Sequence, residues 1–244
     1  MRVNPNLSRQ VALLLSPILL AQSRRVRRVI PLLPDAAKPW HGAVEGPDPA
    51  SILVLGDSTA AGVGAPTQDE ALPGHLARAL SSEWGRGVSW RAIGKNGATA
   101  GDIVDHYLNA ASTESYDLIF LSIGANDALG VRSRGAFRRD IRIILRRLRA
   151  VSPNALILVS SLPAFFRFDA LPNPLRFVLY LHSQSLEATA RAVVVGEPGV
   201  LMSPPPPPYT ADFFATDRFH PSASGYRDWV DFALEDSQLV QPAT

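Results

Sequence analysis

Four short segments, far apart along the 244-residue chain, hold residue types that together can run one reaction. Gly56-Asp57-Ser58 follows an apolar run, and Gly97 sits in the small-residue stretch Asn96-Gly97-Ala98-Thr99. Gly124-Ala125-Asn126-Asp127 follows a second apolar run, and Asp217-Arg218-Phe219-His220 lies near the end. A serine hydroxyl needs a base to become a nucleophile, and a histidine can supply it. A carboxylate three residues before that histidine can hold the imidazole in the tautomer whose other nitrogen is free to accept a proton. Backbone amides of glycine and the side-chain NH₂ of asparagine are the donors that stabilise a tetrahedral oxyanion. The chemistry on offer is acyl transfer from an ester, with Ser58 as nucleophile, His220 as base and Asp217 as its orienting carboxylate.

Each segment alone has a duller explanation. Gly-Asp-Ser is a common turn in which Ser58 could be a helix N-cap, and Asn126-Asp127 suits a turn after a buried strand. Asp57 and Asp127 could be read as a carboxylate pair for glycoside hydrolysis, but both are better explained as groups that brace loops. The stretch Gly56 to Gly64 lacks a following Gly-Lys-Ser/Thr and dinucleotide-type glycine spacing, so it does not read as a nucleotide loop. His75, His106 and His182 fall in expected helices and His41 in an expected linker, as surface or packing residues, and no histidine pair has metal-ligand spacing.

Taken together and in this order, the four blocks resemble those of the GDSL or SGNH hydrolase superfamily, whose second name lists Ser, Gly, Asn and His. Here these are Ser58, Gly97, Asn126 and His220. The resemblance runs from about Ser51 to the C-terminal helix and favours Gly97 over nearby Gly94 as the amide donor. It implies an oxyanion hole of Ser58, Gly97 and Asn126 beside a Ser58, Asp217, His220 triad, needing no metal and no cofactor. It also implies an esterase or lipase working through an acyl-enzyme on a small-molecule or lipid ester. A carbohydrate O-deacetylase is the alternative substrate class in the same superfamily. A membrane-peripheral binding protein on this fold is the alternative from another class, disfavoured because Ser58 and His220 are intact.

The elements that must position these residues alternate. Ser51–Leu55, Val88–Ile93, Leu118–Ile123 and Ala155–Ser160 are short apolar runs of strand length, and Val193–Val195 reads as another. Between them, 70–84, 99–110, 135–150 and 174–192 carry apolar residues at helical spacing, and a last helix opens after Pro221. This βα alternation predicts an α/β fold with three layers, a central parallel sheet of about five strands and helices on both faces. Such an arrangement is flavodoxin-like, with Ser58 and Asn126 at strand carboxyl ends, where active residues of open α/β sheets collect. Phe165, Phe166, Phe168, Leu171, Phe177, Leu179 and Tyr180 crowd the region after the fourth strand, as a substrate wall or as core. The run Pro204 to Pro208 reads as a stiff crossing loop rather than a ligand for a partner domain.

Composition bounds the rest. With 46% hydrophobic residues the chain can bury one sizeable core, and with no cysteine it has no disulfide, thiolate metal site or cysteine nucleophile. The net charge of +2 hides an asymmetry: residues 1–34 hold six arginines and no acid, leaving 18 basic against 22 acidic residues beyond them. A nucleic-acid partner is therefore not expected, and the arginines of the 135–150 helix read as a solvated face. Residues 1–50 read as an extension plus a Pro-rich linker, and 51–240 as the catalytic domain. The extension's apolar run Val11–Ala21 is too short to span a bilayer. Followed by Arg24-Arg25-Val26-Arg27-Arg28, it reads first as an interfacial anchor, so the expected location is cytoplasmic with peripheral membrane contact through residues 1–30. Export through an N-terminal signal peptide is the competing reading, and a helix packed on the domain the third; Pro17 would kink any helix here.

Overall fold

The structure, a computed structural model, describes residues 4–204 and 209–235. The crossing-loop reading of the proline run therefore lies outside the described residues apart from Pro204. Among the described residues the strands are β1 (His41–Val44), β2 (Ala50–Gly56), β3 (Val88–Gly94), β4 (Leu118–Ser122), β5 (Leu156–Val159) and β6 (Val200–Met202). They form one sheet in the order β1-β3-β2-β4-β5-β6, with β1 antiparallel to β3 and the other pairs parallel. The helices are α1 (Ser8–Leu14), α2 (Ser16–Val29), α3 (Leu72–Trp84), α4 (Ala100–Asp102), α5 (Leu108–Ala111), α6 (Ala125–Leu129), α7 (Arg134–Val151), α8 (Leu175–Val194) and α9 (Ala223–Glu235).

The strands alternate because both faces are covered. Leu53, Leu55, Ile119, Leu121, Ile157 and Val159 point to one side, against Phe137, Ile141, Ile144 and Leu145 of α7 and the apolar stripe of α8. Ile52, Val54, Leu118, Phe120 and Leu158 point to the other, against Leu72, Leu76 and Leu80 of α3 and Tyr226 and Val230 of α9. Continuous apolar runs suit such two-sided burial. The five parallel strands match the expected sheet, and their order reverses direction between β2 and β4, the switch point at which such sheets bind ligands.

Three sequence expectations are corrected. His41–Val44, read as part of an irregular linker, is a strand on the sheet edge; its alternately exposed and half-buried residues carry no apolar run that could have announced it. Val193–Val195, read as a strand, belongs to the end of α8 and the residue capping it, because Val193 and Val194 pack into the same core as the rest of that helix. The last parallel strand is Val200–Met202 instead. Residues 99–110 are helical as expected, but with a π-helical turn at Ile103–Tyr107 between α4 and α5.

The N-terminal segment packs on the domain. Ala12 and Leu19 are buried in the core shared with α7 and α8, and the Ser8 hydroxyl lies 2.9 Å from Nδ1 of the fully buried His182. Gln22 donates to the Asn173 carbonyl and accepts from the Leu175 amide. The break between α1 and α2 at Leu15 precedes Pro17, which sits in the first turn of α2, where its missing N–H is tolerated.

Candidate active site

Parallel register sets three of the four blocks side by side. Gly56 of β2 pairs with Gly94 of β3 and with Ser122 of β4, so the chain leaves three adjacent strands at one edge carrying Ser58, Gly97 and Asn126. Backbone hydrogen bonds lace these exits together: the Asp57 amide donates to the Ser122 carbonyl and the Lys95 amide to the Gly56 carbonyl. The Thr59 hydroxyl lies 2.6 Å from that of Ser122. No regular helix follows β2 directly. Residues 58–64 form successive turns and α3 starts only at Leu72, so a helix dipole does not act on Ser58.

The Gly97 loop is held from two sides. Asn126 Nδ2 donates to the Ala98 carbonyl at 3.0 Å, and the Ala100 amide donates to Asp127 Oδ2 at 2.9 Å. Thr99 and Asp102 form a capping box that closes the loop onto α4. Gly97 itself is at φ +86°, and a Cβ there would meet nothing within 4 Å. The left-handed backbone accounts for the glycine, and the space in front of it is open.

His220 and Asp217 come from one turn. Asp217 Oδ2 lies 2.6 Å from His220 Nδ1, while Oδ1 accepts from the amides of Phe219 and His220 at 2.9 and 3.0 Å. Burial by itself would raise the Asp217 carboxyl, but the His220 side chain and these two amides outweigh it and hold it below the ordinary range. With Nδ1 committed to Asp217, Nε2 is left to accept. The Phe219 ring packs against both His220 and Phe168, which fixes the turn from the apolar side.

This turn meets the Ser58 loop. Tyr226 of α9 donates its hydroxyl to the Val63 carbonyl at 2.8 Å, and a Cβ on Gly64 would lie 2.1 Å from the Pro221 carbonyl. Only glycine allows so close an approach. The Asp57 carboxyl feels His220 electrostatically, yet burial dominates and pushes it up to about 6.

Two carboxylates read from sequence as braces do brace. Asp57 Oδ1 accepts from the amide and hydroxyl of Thr59, both at 3.1 Å. Asp127, fully buried, accepts from Ala100 and pairs with Arg132 at 2.7 Å, and the same guanidinium reaches Asp140 at 2.8 Å. Burial drives the Asp127 carboxyl up and these bonds pull it part of the way back. We assign it as the carboxylate, since both oxygens accept from N–H donors. Sequence reasoning missed Arg132, because one arginine in an arginine-rich stretch carries no local mark. It also took His182 as one helical histidine among several. In the fold, His182 is the buried pin between Ser8 and the Arg132 carbonyl, and burial lowers its basicity.

A cavity of about 70 Å³ is lined by the chain neighbours Asp57, Thr59, Ala125 and Pro221 of the block residues, but not by Ser58, Gly97, Asn126 or His220 themselves, and by apolar groups including Phe168 and Phe213. Of the aromatic cluster offered as a substrate wall, Phe168 alone lines it. Phe165, Leu171 and Leu179 are core, and Phe166 and Phe177 are exposed. Among the described residues no group of acidic, histidine or cysteine side chains could hold a metal.

Comparison with known proteins bears on the family and the fold. The profile of the GDSL-like lipase/acylhydrolase family matches residues 54–227. A GDSL-like esterase of Mycobacterium tuberculosis is 28% identical over 245 residues, covering 90% of this chain and 76% of its own. Phospholipase A1 of Streptomyces albidoflavus superposes with a TM-score of 0.56 at 18% identity, over 77% of this chain and 99% of its own. A family 3 carbohydrate esterase of Clostridium thermocellum does so at 0.58 and 17% identity, over 76% and 93%. The chain belongs to the GDSL-like lipase/acylhydrolase family and is a hydrolase of ester bonds.

Proposed function

We propose that this hydrolase cleaves carboxylic esters of apolar acyl groups through an acyl-enzyme on Ser58. His220 Nε2 takes the hydroxyl proton as Ser58 Oγ attacks the carbonyl carbon. The oxyanion is met by the Ser58 and Gly97 amides and the Asn126 NH₂. Collapse breaks the C–O bond to the alcohol, which leaves with the proton from His220. Water, deprotonated by the same imidazole, then attacks the acyl carbon and releases the acid and Ser58. The observation that carries the proposal is the 2.6 Å Asp217–His220 contact on a turn braced against the Ser58 loop. An apolar acyl group is supported by the cavity, where Ile123, Pro163, Phe168, Phe213 and Trp229 contribute hydrocarbon. The hydroxyls of Thr59, Ser122, Ser160 and Ser161 at the same cavity favour the second reading, an O-deacetylase of acetylated sugars.

The test is hydrolysis of p-nitrophenyl esters from acetate to palmitate beside release of acetate from acetylated sugars. Ser58→Ala is expected to lower kcat by roughly 10⁴-fold or more on every substrate turned over. An optimum at acyl chains longer than acetyl supports the first reading. Turnover confined to acetylated sugars supports the second, and an unchanged rate in Ser58→Ala would sink the mechanism.

A further inference from the structure

The α1–α2 pair has two faces of opposite character. Leu15, Leu19 and Val26 turn inward onto the core, and Gln22 is hydrogen-bonded there. Facing away from the domain, Leu13 and Leu14 are 76% and 81% exposed, and Ile18 and Leu20 are exposed one turn further on. Arg24, Arg25, Arg27 and Arg28 follow, all exposed and without an ion pair among the described residues. Val29 and Leu32 continue the exposed apolar surface, Leu32 at 94%. No acidic residue occurs in positions 1–34.

We propose that this face docks the enzyme on an anionic lipid surface, with the leucines and Ile18 entering the boundary between headgroups and acyl chains and the four guanidiniums on the phosphates. Apolar surface left in water beside a band of cations is the composition of an interfacial helix rather than of a spanning one. Among the described residues no helix is long and apolar enough to cross a membrane. Each arginine near an anionic leaflet adds attraction, its fork matches phosphate oxygens, and its stem can lie along the apolar layer. Charge also decides against a second copy of the chain: a symmetric contact through this face would set the arginines of one α2 near those of the other with no acid on either to offset them. The proposal is independent of the ester the active site takes.

The experiment is co-sedimentation of the full-length chain with vesicles of phosphatidylcholine, with and without phosphatidylglycerol. Binding is expected to need phosphatidylglycerol and to weaken with salt. Replacing Arg24, Arg25, Arg27 and Arg28 together by Gln should lower the partition coefficient by about tenfold or more. Replacing Leu13, Leu14 and Ile18 together by Ser should abolish binding. Circular dichroism and the melting midpoint of each variant establish that it is folded. Equal partition onto vesicles lacking phosphatidylglycerol overturns the proposal, as does an arginine variant that binds like the parent. So does a concentration-dependent dimer that the leucine replacements dissociate.

Discussion

Asn126 has two amide hydrogens, and the fold uses one of them to hold the Ala98 carbonyl. The other is available to an oxyanion, so in the proposed mechanism the same side chain places the Gly97 loop and donates to the substrate. Asn126→Ala is therefore expected to lower kcat by at least about 10²-fold, with a smaller change in KM. Steady-state kinetics on a short-chain ester read the split, and a KM effect alone would remove Asn126 from the oxyanion hole. Asp57 shows a different economy. It titrates near 3.8 when unfolded and about 6 when buried, so the folded state holds a proton the unfolded state has released between those values. Its contribution to stability is full below the lower value and is lost as pH rises through the upper one, an effect on the order of 3 kcal/mol. Asp57→Asn keeps an acceptor for Thr59 and cannot ionise. The stability of the variant relative to the parent should rise between about pH 4 and about pH 7, and urea titrations giving a flat difference would contradict it.

At the scale of elements, Arg132, in the short connection between α6 and α7, ties the two helices together. Its guanidinium links Asp127 in α6 to Asp140 in α7, and Asp127 in turn holds the first amide of α4 behind the Gly97 loop. Arg132→Met would leave the buried Asp127 without its cation, while Asp140 keeps Arg139 at 3.0 Å; breaking a buried pair in this way typically costs about 3–5 kcal/mol. Urea unfolding checks the magnitude, and a loss well under 1 kcal/mol would mean that other charges compensate. The same element pattern explains why β2, β3 and β4 present the site. Their exits sit at the point where the parallel order reverses, so neighbouring loops part and leave room for a substrate.

For the whole molecule, α1 and α2 are part of the packed structure. A chain beginning at residue 31 would uncover one side of α8 and leave His182 Nδ1 without the Ser8 hydroxyl. The unpaired nitrogen alone should cost about 1–3 kcal/mol, and the exposed core more, so the melting midpoint should fall. An unchanged midpoint would show that the pair rests on the domain without supporting it.

The sequence by itself determined the parallel sheet and the strand ends at which the polar blocks fall. Strands buried on both faces must be apolar throughout, and polar blocks that follow them at Gly56 and Gly124 mark the edge where the candidate site lies. The tertiary structure alone decided what has no local period. His41–Val44 becomes a strand through pairing with β3, Val193 and Val194 stay helical because their side chains complete a helix's buried stripe, and Val200–Met202 gains its strand from β5. β-branched residues take whichever backbone buries them, so a short valine run reads equally as strand or helix until its neighbours are in place. His182 acquires its role in the same way, from Ser8 and the Arg132 carbonyl, far along the chain, and Arg132 from two nearby carboxylates that only the fold turns toward it.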